Sequence, residues 1–342
     1  MYLLSGLLLT LLLGASGLPS NEEKAFRPKL PIGFPPVSYP EDNAHTPERW
    51  KLGRRLFYDP VLSRDSSISC GSCHHAGHAF SDTVALSPGV ESAPGVRNAP
   101  TLTNVAYHPY FTRDGGVKTL ETQILVPIQE HNEFDFNIVL IAERLYRDST
   151  YQRMSKLAYN RNPDPYVISR AIACFERTLV SGNSRYDQFL LSGNSSLLSR
   201  SERRGMELFF SERTQCSSCH SGFNFTSYEI TNNGLYLHYA DSGRKRLTNL
   251  ESDRATFKVP TLRNVALTAP YMHDGSMPDL ESVVAHYSAG GKNHPNRHPL
   301  IRPLDLSPKE QQDLVSFLRT LTDEEFVNNP HFTNPFTALN QD

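Results

Sequence analysis

Cys70-Gly-Ser-Cys-His74 and Cys216-Ser-Ser-Cys-His220 decide how this chain reads. Two thiols one helical turn apart can each add to a vinyl group of a haem, and the imidazole that follows is then set under the iron. A zinc site needs four ligands gathered together, and the two cysteine pairs stand more than 140 residues apart. A redox dithiol needs no histidine after its second cysteine, and here both pairs have one. The motifs therefore imply two covalently held c-type haems, attached at Cys70 and Cys73 and at Cys216 and Cys219, with His74 and His220 as iron ligands. The fifth cysteine, Cys174, lies in the helical run Ala171-Ile-Ala-Cys-Phe-Glu-Arg177 and reads as a small buried apolar residue.

Around these motifs the chain repeats itself. Gly53-x-x-Leu56-Phe57 returns as Gly205-x-x-Leu208-Phe209, and Pro100-Thr-Leu-x-Asn-Val-Ala106 as Pro260-Thr-Leu-x-Asn-Val-Ala266. Asp114-Gly115 returns as Asp274-Gly275 and Leu120-Glu121 as Leu280-Glu281. Matches in the same order and at nearly one offset point to two homologous units from a duplication. Residues 168–179 and 311–321 carry apolar residues at helical spacing, and no stretch shows sustained strand alternation. The expected fold is mainly α, two cytochrome-like units with long loops, in keeping with 20 Gly and 24 Pro. The expected organisation is a signal peptide at 1–17, an extended arm at 18–46, a first haem unit at 47–190, a second at 191–325 and a tail at 326–342.

The balance of 34 basic and 36 acidic residues offers no basic stripe for nucleic acid. The opening run Met1-Tyr-Leu-Leu-Ser-Gly-Leu-Leu-Leu-Thr-Leu-Leu-Leu-Gly-Ala-Ser-Gly17 is too short to anchor a protein and is followed by small residues, the pattern of a cleaved export signal, although its start lacks Lys and Arg. No Cys follows it to carry a lipid. Export to the periplasm is expected, without stable membrane insertion after cleavage.

From Pro47 to Asp323 the sequence resembles the bacterial dihaem cytochrome c peroxidases and their MauG-type relatives. The resemblance rests on Leu52-Gly-Arg-Arg-Leu-Phe-Tyr-Asp59, the two haem motifs, Arg97-Asn-Ala-Pro-Thr101, Ala171-Ile-Ala-Cys-Phe-Glu-Arg-Thr178 and Val259-Pro-Thr-Leu-Arg-Asn-Val-Ala-Leu-Thr-Ala-Pro-Tyr-Met-His-Asp-Gly275. It implies one haem per unit, a calcium ion between the units, and hydrogen peroxide as oxidant. In conventional members a His in the loop before Arg-Asn-Ala-Pro caps the first haem at rest. Here that loop, Ser87 to Arg97, holds no His, so the first iron is expected to be five-coordinate, as in the MauG type. Gln123 and Glu133 match the family's catalytic pair. A carboxylate in a partly dry pocket suits proton transfer between the oxygens of peroxide, and an amide suits holding it. Without the motif around it, Glu133 reads as a solvated surface acid.

The resemblance places the sixth ligand of the second haem fourteen residues after His273, where conventional members have Met and this chain has Tyr287. Asp279 can cap a helix whose apolar face carries Leu280, Val283, Val284 and Tyr287, with His286 one residue off that face. In the bland alternative Tyr287 is core and His286, Met272 or Met277 holds the iron. A phenolate is a hard ligand that lowers the potential and favours higher oxidation states of the iron. The relay Trp that the family places between the haems is replaced by Arg113. The only Trp is Trp50, and Tyr107 and Tyr110 are the available substitutes. Calcium is expected at the Asn98 side chain and the Thr268 and Pro270 carbonyls, although Asn98 reads equally as a turn residue.

Three functions compete at this point. They are a MauG-like oxidase drawing electrons from a partner protein or small donor, a conventional peroxidase fed by a small cytochrome, and a non-enzymatic dihaem carrier. All three require covalent haem. Denatured protein should retain two haems on a gel, and Cys219→Ala should lose about half; complete extraction by acidic acetone would contradict the attachment.

Overall fold

The computed structural model describes residues 26–337. The expected signal, the first residues of the arm and the last five of the tail lie outside them. Thirteen helices carry the described chain: α1 (Pro47–Tyr58), α2 (Leu120–Gln123), α3 (Leu125–Gln129), α4 (Ile138–Tyr146), α5 (Ser149–Tyr159), α6 (Pro165–Glu176), α7 (Arg185–Ser192), α8 (Arg200–Phe209), α9 (Cys216–Cys219), α10 (Lys245–Thr248), α11 (Leu280–Ala289), α12 (Pro308–Arg319) and α13 (Glu324–Val327). Several short 3₁₀ turns lie between them, and one two-stranded ribbon pairs Ile230 with Lys258 and Thr231 with Phe257. The mainly α expectation holds.

The long helices start where side chains supply what the first backbone N–H groups lack. Thr46 caps α1 by accepting from the Arg49 N–H, and Asp164 caps α6 by accepting from Val167, each with Pro at the first helical position. Ser199 with Glu202 and Ser307 with Glu310 form reciprocal capping boxes at α8 and α12.

Two helix crossings set the frame. α1 lies across α6, and α8 across α12. At each crossing a glycine lets backbone meet backbone: a Cβ on Gly53 would stand 1.9 Å from the Ala171 carbonyl oxygen, and one on Gly205 would stand 1.9 Å from that of Asp313. Phe175 and Phe317 fill the space beside them, both fully buried. The repeated Asn does the same work in both halves. Asn104 and Asn264 take left-handed backbone conformations and donate their N–H to the Leu179 and Leu321 carbonyls, fastening each haem-side loop to the end of α6 or α12. The repeated Leu-Glu places Glu121 on Arg177 at 2.6 Å and Glu281 on Arg319 at 2.9 Å.

Two apolar clusters follow these crossings. One gathers Trp50, Phe57, Phe80 and Phe175, and the other Phe209, Phe225, Phe317 and Leu321. Their edges differ from the expected boundaries. Tyr186 on α7 belongs to the second cluster, and Asp187 grips Arg263 through two hydrogen bonds. Phe326, Val327 and Phe332 of the tail return to the first cluster. There Tyr58 Oη donates to the Phe332 carbonyl at 2.5 Å.

Because no side chain can shrink out of a 1.9 Å contact with a carbonyl, Gly53→Ala and Gly205→Ala should each destabilise the haem-loaded protein by roughly 1–3 kcal/mol or more. Gly77→Ala, with nothing within 4 Å of the new Cβ, should not. Thermal unfolding of the three variants beside the parent checks this.

Candidate functional site

The second haem motif opens onto a largely apolar cavity. Cys216, Cys219 and His220 line it, with Leu262, Val265, Leu280, Val283, Val284, Leu314 and Leu318 supplying its walls. Its empty space, open mouth included, is about 1600 Å³. His220 Nδ1 lies 3.2 Å from the Phe225 carbonyl, which leaves Nε2 for a metal, and burial lowers the imidazole to about 4, so it is neutral. His74 is held alike, Nδ1 to the Phe80 carbonyl at 2.8 Å, with burial again lowering it.

Two cations on the second cavity complete the fit to a haem. Arg113 and Lys258 both line it, and among the described residues neither has a carboxylate at ion-pair distance. Lys258 meets only His108 Nδ1 at 3.0 Å and the Tyr110 carbonyl at 3.2 Å, and burial, with Arg113 adding, lowers its ammonium to about 7. Buried cations without counter-ions are costly. The two propionates of a haem supply the missing negative charge, so residues of this kind suit the group. Neighbouring carboxylates are already spent. Asp114 is fully buried, and against the upward push of burial Arg246, Thr112 and Arg97 hold it at about 2.

Tyr287 lines the same cavity as His220, and burial raises its phenol. Its helix starts at the Asp279 cap, as the sequence implies. His286 is turned away, its Nε2 3.0 Å from the Asn233 carbonyl. Of the alternatives, Met277 does not line the cavity and Met272 does, its sulfur accepting from Asn233 at 3.2 Å.

At the first motif two carboxyl groups gather. Burial raises the Cys70 thiol, and Glu176 and Glu133 both add to the rise. Glu133 itself is pushed up to about 7 by burial, with Glu130 adding to it. The loop without a capping His packs on the backbone that carries Glu133. Val90 N–H donates to the Glu133 carbonyl at 2.9 Å, and a Cβ on Gly89 would lie 2.2 Å from the Asn132 carbonyl oxygen. Gln123 ends α2, and its amide makes no hydrogen bond to the described residues. His75 lies 3.6 Å from Asp82 and His78 stands beside it, both close to the attachment site.

Glu176 escaped the sequence reading. It follows Phe175 at the first crossing as Leu318 follows Phe317 at the second, and Leu318 faces the second cavity. Its Oε2 is buried without a partner, and burial pushes the carboxyl up to about 8. The signal was present in Ala171-Ile-Ala-Cys-Phe-Glu-Arg177, where a Glu stands on an otherwise apolar face.

The calcium expectation at Asn98 does not fit. The Asn98 Oδ1 accepts from Arg113 Nη2 at 2.6 Å, and its Nδ2 donates to the Val84 and Ala85 carbonyls. The oxygen that was to hold calcium is already bound to a cation.

These sites define a class, the dihaem c-type peroxidases, and the comparisons agree. Residues 47–196 match the family model of the di-haem cytochrome c peroxidases. The chain is 35% identical over 293 residues to the methylamine utilization protein MauG of Methylorubrum extorquens, covering 84% of this chain and 82% of that one. It is 33% identical to the cytochrome c551 peroxidase of Nitrosomonas europaea, covering 93% and 91%. Among solved structures it superposes on a MauG-like protein associated with microbial copper homeostasis with a TM-score of 0.86 at 34% identity, covering 91% of this chain and all of that one. The chain belongs to the dihaem cytochrome c peroxidase and MauG family, and it is an enzyme of that family with two c-type haems as cofactors.

Because the Glu176 carboxyl binds its proton more tightly folded than unfolded, its contribution to stability falls as pH rises from the ordinary carboxyl range towards 8 and is level beyond. Glu176→Gln removes that group. Its melting temperature, relative to the parent, should therefore rise between about pH 5 and about pH 9; a difference independent of pH would mean the carboxyl does not titrate in this window.

Proposed function

We propose that this chain is an exported, periplasmic oxidase of the MauG type, built from two haem units related by duplication. It takes hydrogen peroxide at the first haem and draws electrons from a partner protein or small donor through the second. The observation that carries the reading is Tyr287, which shares one cavity with Cys216, Cys219 and His220. The paired helix crossings, the paired Asn turns and the paired Glu–Arg bridges support the duplication. For the periplasmic placement, the sequence offers the 1–17 signal. No helix among the described residues is long and apolar enough to cross a membrane.

The haems supply the redox chemistry, and the side chains supply protons and position. Glu133, titrating near 7, is poised to take a proton from one oxygen of peroxide and return it to the other. Gln123, with its amide uncommitted, holds the peroxide for that transfer. The loop at Ser87–Arg97 has no His to withdraw, so the first site needs no reductive opening. At the second site Tyr287 and His220 would hold the haem iron, and Arg113 and Lys258 would meet its propionates; all four line the one cavity. A second reading has its own support: Met272 reaches the same cavity, and a thioether ligand there would fit a conventional peroxidase with a cytochrome donor.

Two variants separate the readings. Tyr287→Phe should shift the low-spin ferric signal of the second haem, while Glu133→Gln should slow the reaction with peroxide by roughly a hundredfold and leave that signal unchanged. The loss in Glu133→Gln should be largest above about pH 7, where the parent carboxylate is formed. An unchanged low-spin signal in Tyr287→Phe would transfer the ligand role to Met272 and favour the cytochrome-dependent peroxidase.

A further inference from the structure

The Asp-Gly turn of the first unit brings a guanidinium to the place where the resemblance puts calcium. Arg113 grips Asn98 with two parallel hydrogen bonds: Nε donates to the Asn98 main-chain oxygen at 2.7 Å and Nη2 to its Oδ1 at 2.6 Å. The rest of Asn98 is committed as well. Its Nδ2 donates to Val84 and Ala85, and its main-chain N–H crosses to the His273 carbonyl of the second unit at 2.9 Å. Arg113 crosses in the same direction, its own carbonyl accepting from Lys258 N–H at 2.6 Å. The clamp thus does what an interfacial metal does: a single cation fixes oxygens of one unit at the seam with the other.

The charges around it leave no room for a second, divalent cation. Arg97 and Lys258 are its cationic neighbours. Of the carboxylates around it, Asp114 and Asp241 are bound by Arg97 and Arg246, and Asp274, which faces Arg113, accepts from Tyr236 Oη at 2.7 Å. No group of three His, Cys, Asp or Glu able to hold a metal occurs among the described residues. The Thr268 and Pro270 carbonyls remain, but calcium takes six to eight oxygens and prefers charged ones. Two neutral carbonyls are a poor cage. Burial, with Arg97 adding, lowers the guanidinium to about 10, so it stays charged at neutral pH.

We propose that Arg113 is the resident cation of this interface and that the chain binds no calcium there, its bidentate guanidinium having taken over the seam between the haem units. The exchange has a cost and a gain. The family's aromatic relay is lost at this position. In return the cation is covalently part of the chain and can be neither chelated nor diluted away.

Metal analysis of the holoprotein tests this directly. About two iron atoms per chain and no calcium above background are expected. Prolonged EGTA treatment should leave both haem spectra and the melting temperature unchanged, and millimolar calcium should raise neither. Arg113→Ala frees the Asn98 oxygen and should lower the melting temperature in calcium-free buffer, with added calcium restoring part of the loss. One calcium per chain in the parent, or haem spectra that shift on chelation, would overturn the proposal. So would an Arg113→Ala protein as stable as the parent without calcium. If that variant does not fold, the parent's metal content still decides. The outcome is separable from the oxidase reading, because neither the Tyr287→Phe signal nor the Glu133→Gln rate depends on calcium.

Discussion

Everything in this molecule hangs from two places where helix backbones touch. At Gly53 and Gly205 the absence of a side chain lets α1 reach α6 and α8 reach α12 at a distance no other residue permits. The approach fixes which residues of α6 and α12 face inward. Phe175 and Phe317 fill the crossing, and the next residue along each helix turns to the haem side. The end of each helix then receives the Asn104 or Asn264 loop. A small steric allowance thereby sets the position of each haem's wall.

The two walls differ in chemistry while sharing a frame. Where the second site shows Leu318, the first shows Glu176, and Glu133 adds another raised carboxyl. The second site holds cations instead, Arg113 and Lys258, together with a phenol. One half is thus equipped to handle protons and the other to hold charge, a division suited to chemistry at one iron and electron transfer at the other.

The attachment motifs and the repeated segments stand out in the sequence, and the helix carrying Tyr287 was legible there, because each rests on short-range rules. Vinyl addition fixes the spacing of cysteines, and capping at Asp279 with a period of 3.6 fixes the face of α11. Glu176 was missed because its meaning comes from a neighbour 123 positions away or more: only the crossing at Gly53 shows that it stands where a Leu stands in the other half. The calcium expectation gives way in our proposal for a similar reason. Asn98 and Arg113 lie 15 residues apart, and a resemblance read residue by residue does not reveal that the Asn98 side-chain oxygen accepts from a guanidinium. Packing, unlike chain order, groups Tyr186 with the second cluster and Phe332 with the first.

The tail's return has a consequence for how the protein is made. Phe326 and Phe332 complete the core beneath Phe57 and Phe80, and Tyr58 reaches a carbonyl 274 residues further on. The first unit therefore has no finished interior until the last segment has been made, even though its haem motif emerges early. The second unit, whose cluster is drawn from residues 186–321, is complete sooner. Long-range closure of this kind is slow, so the order of maturation runs against the order of synthesis. The half that emerges first is closed last.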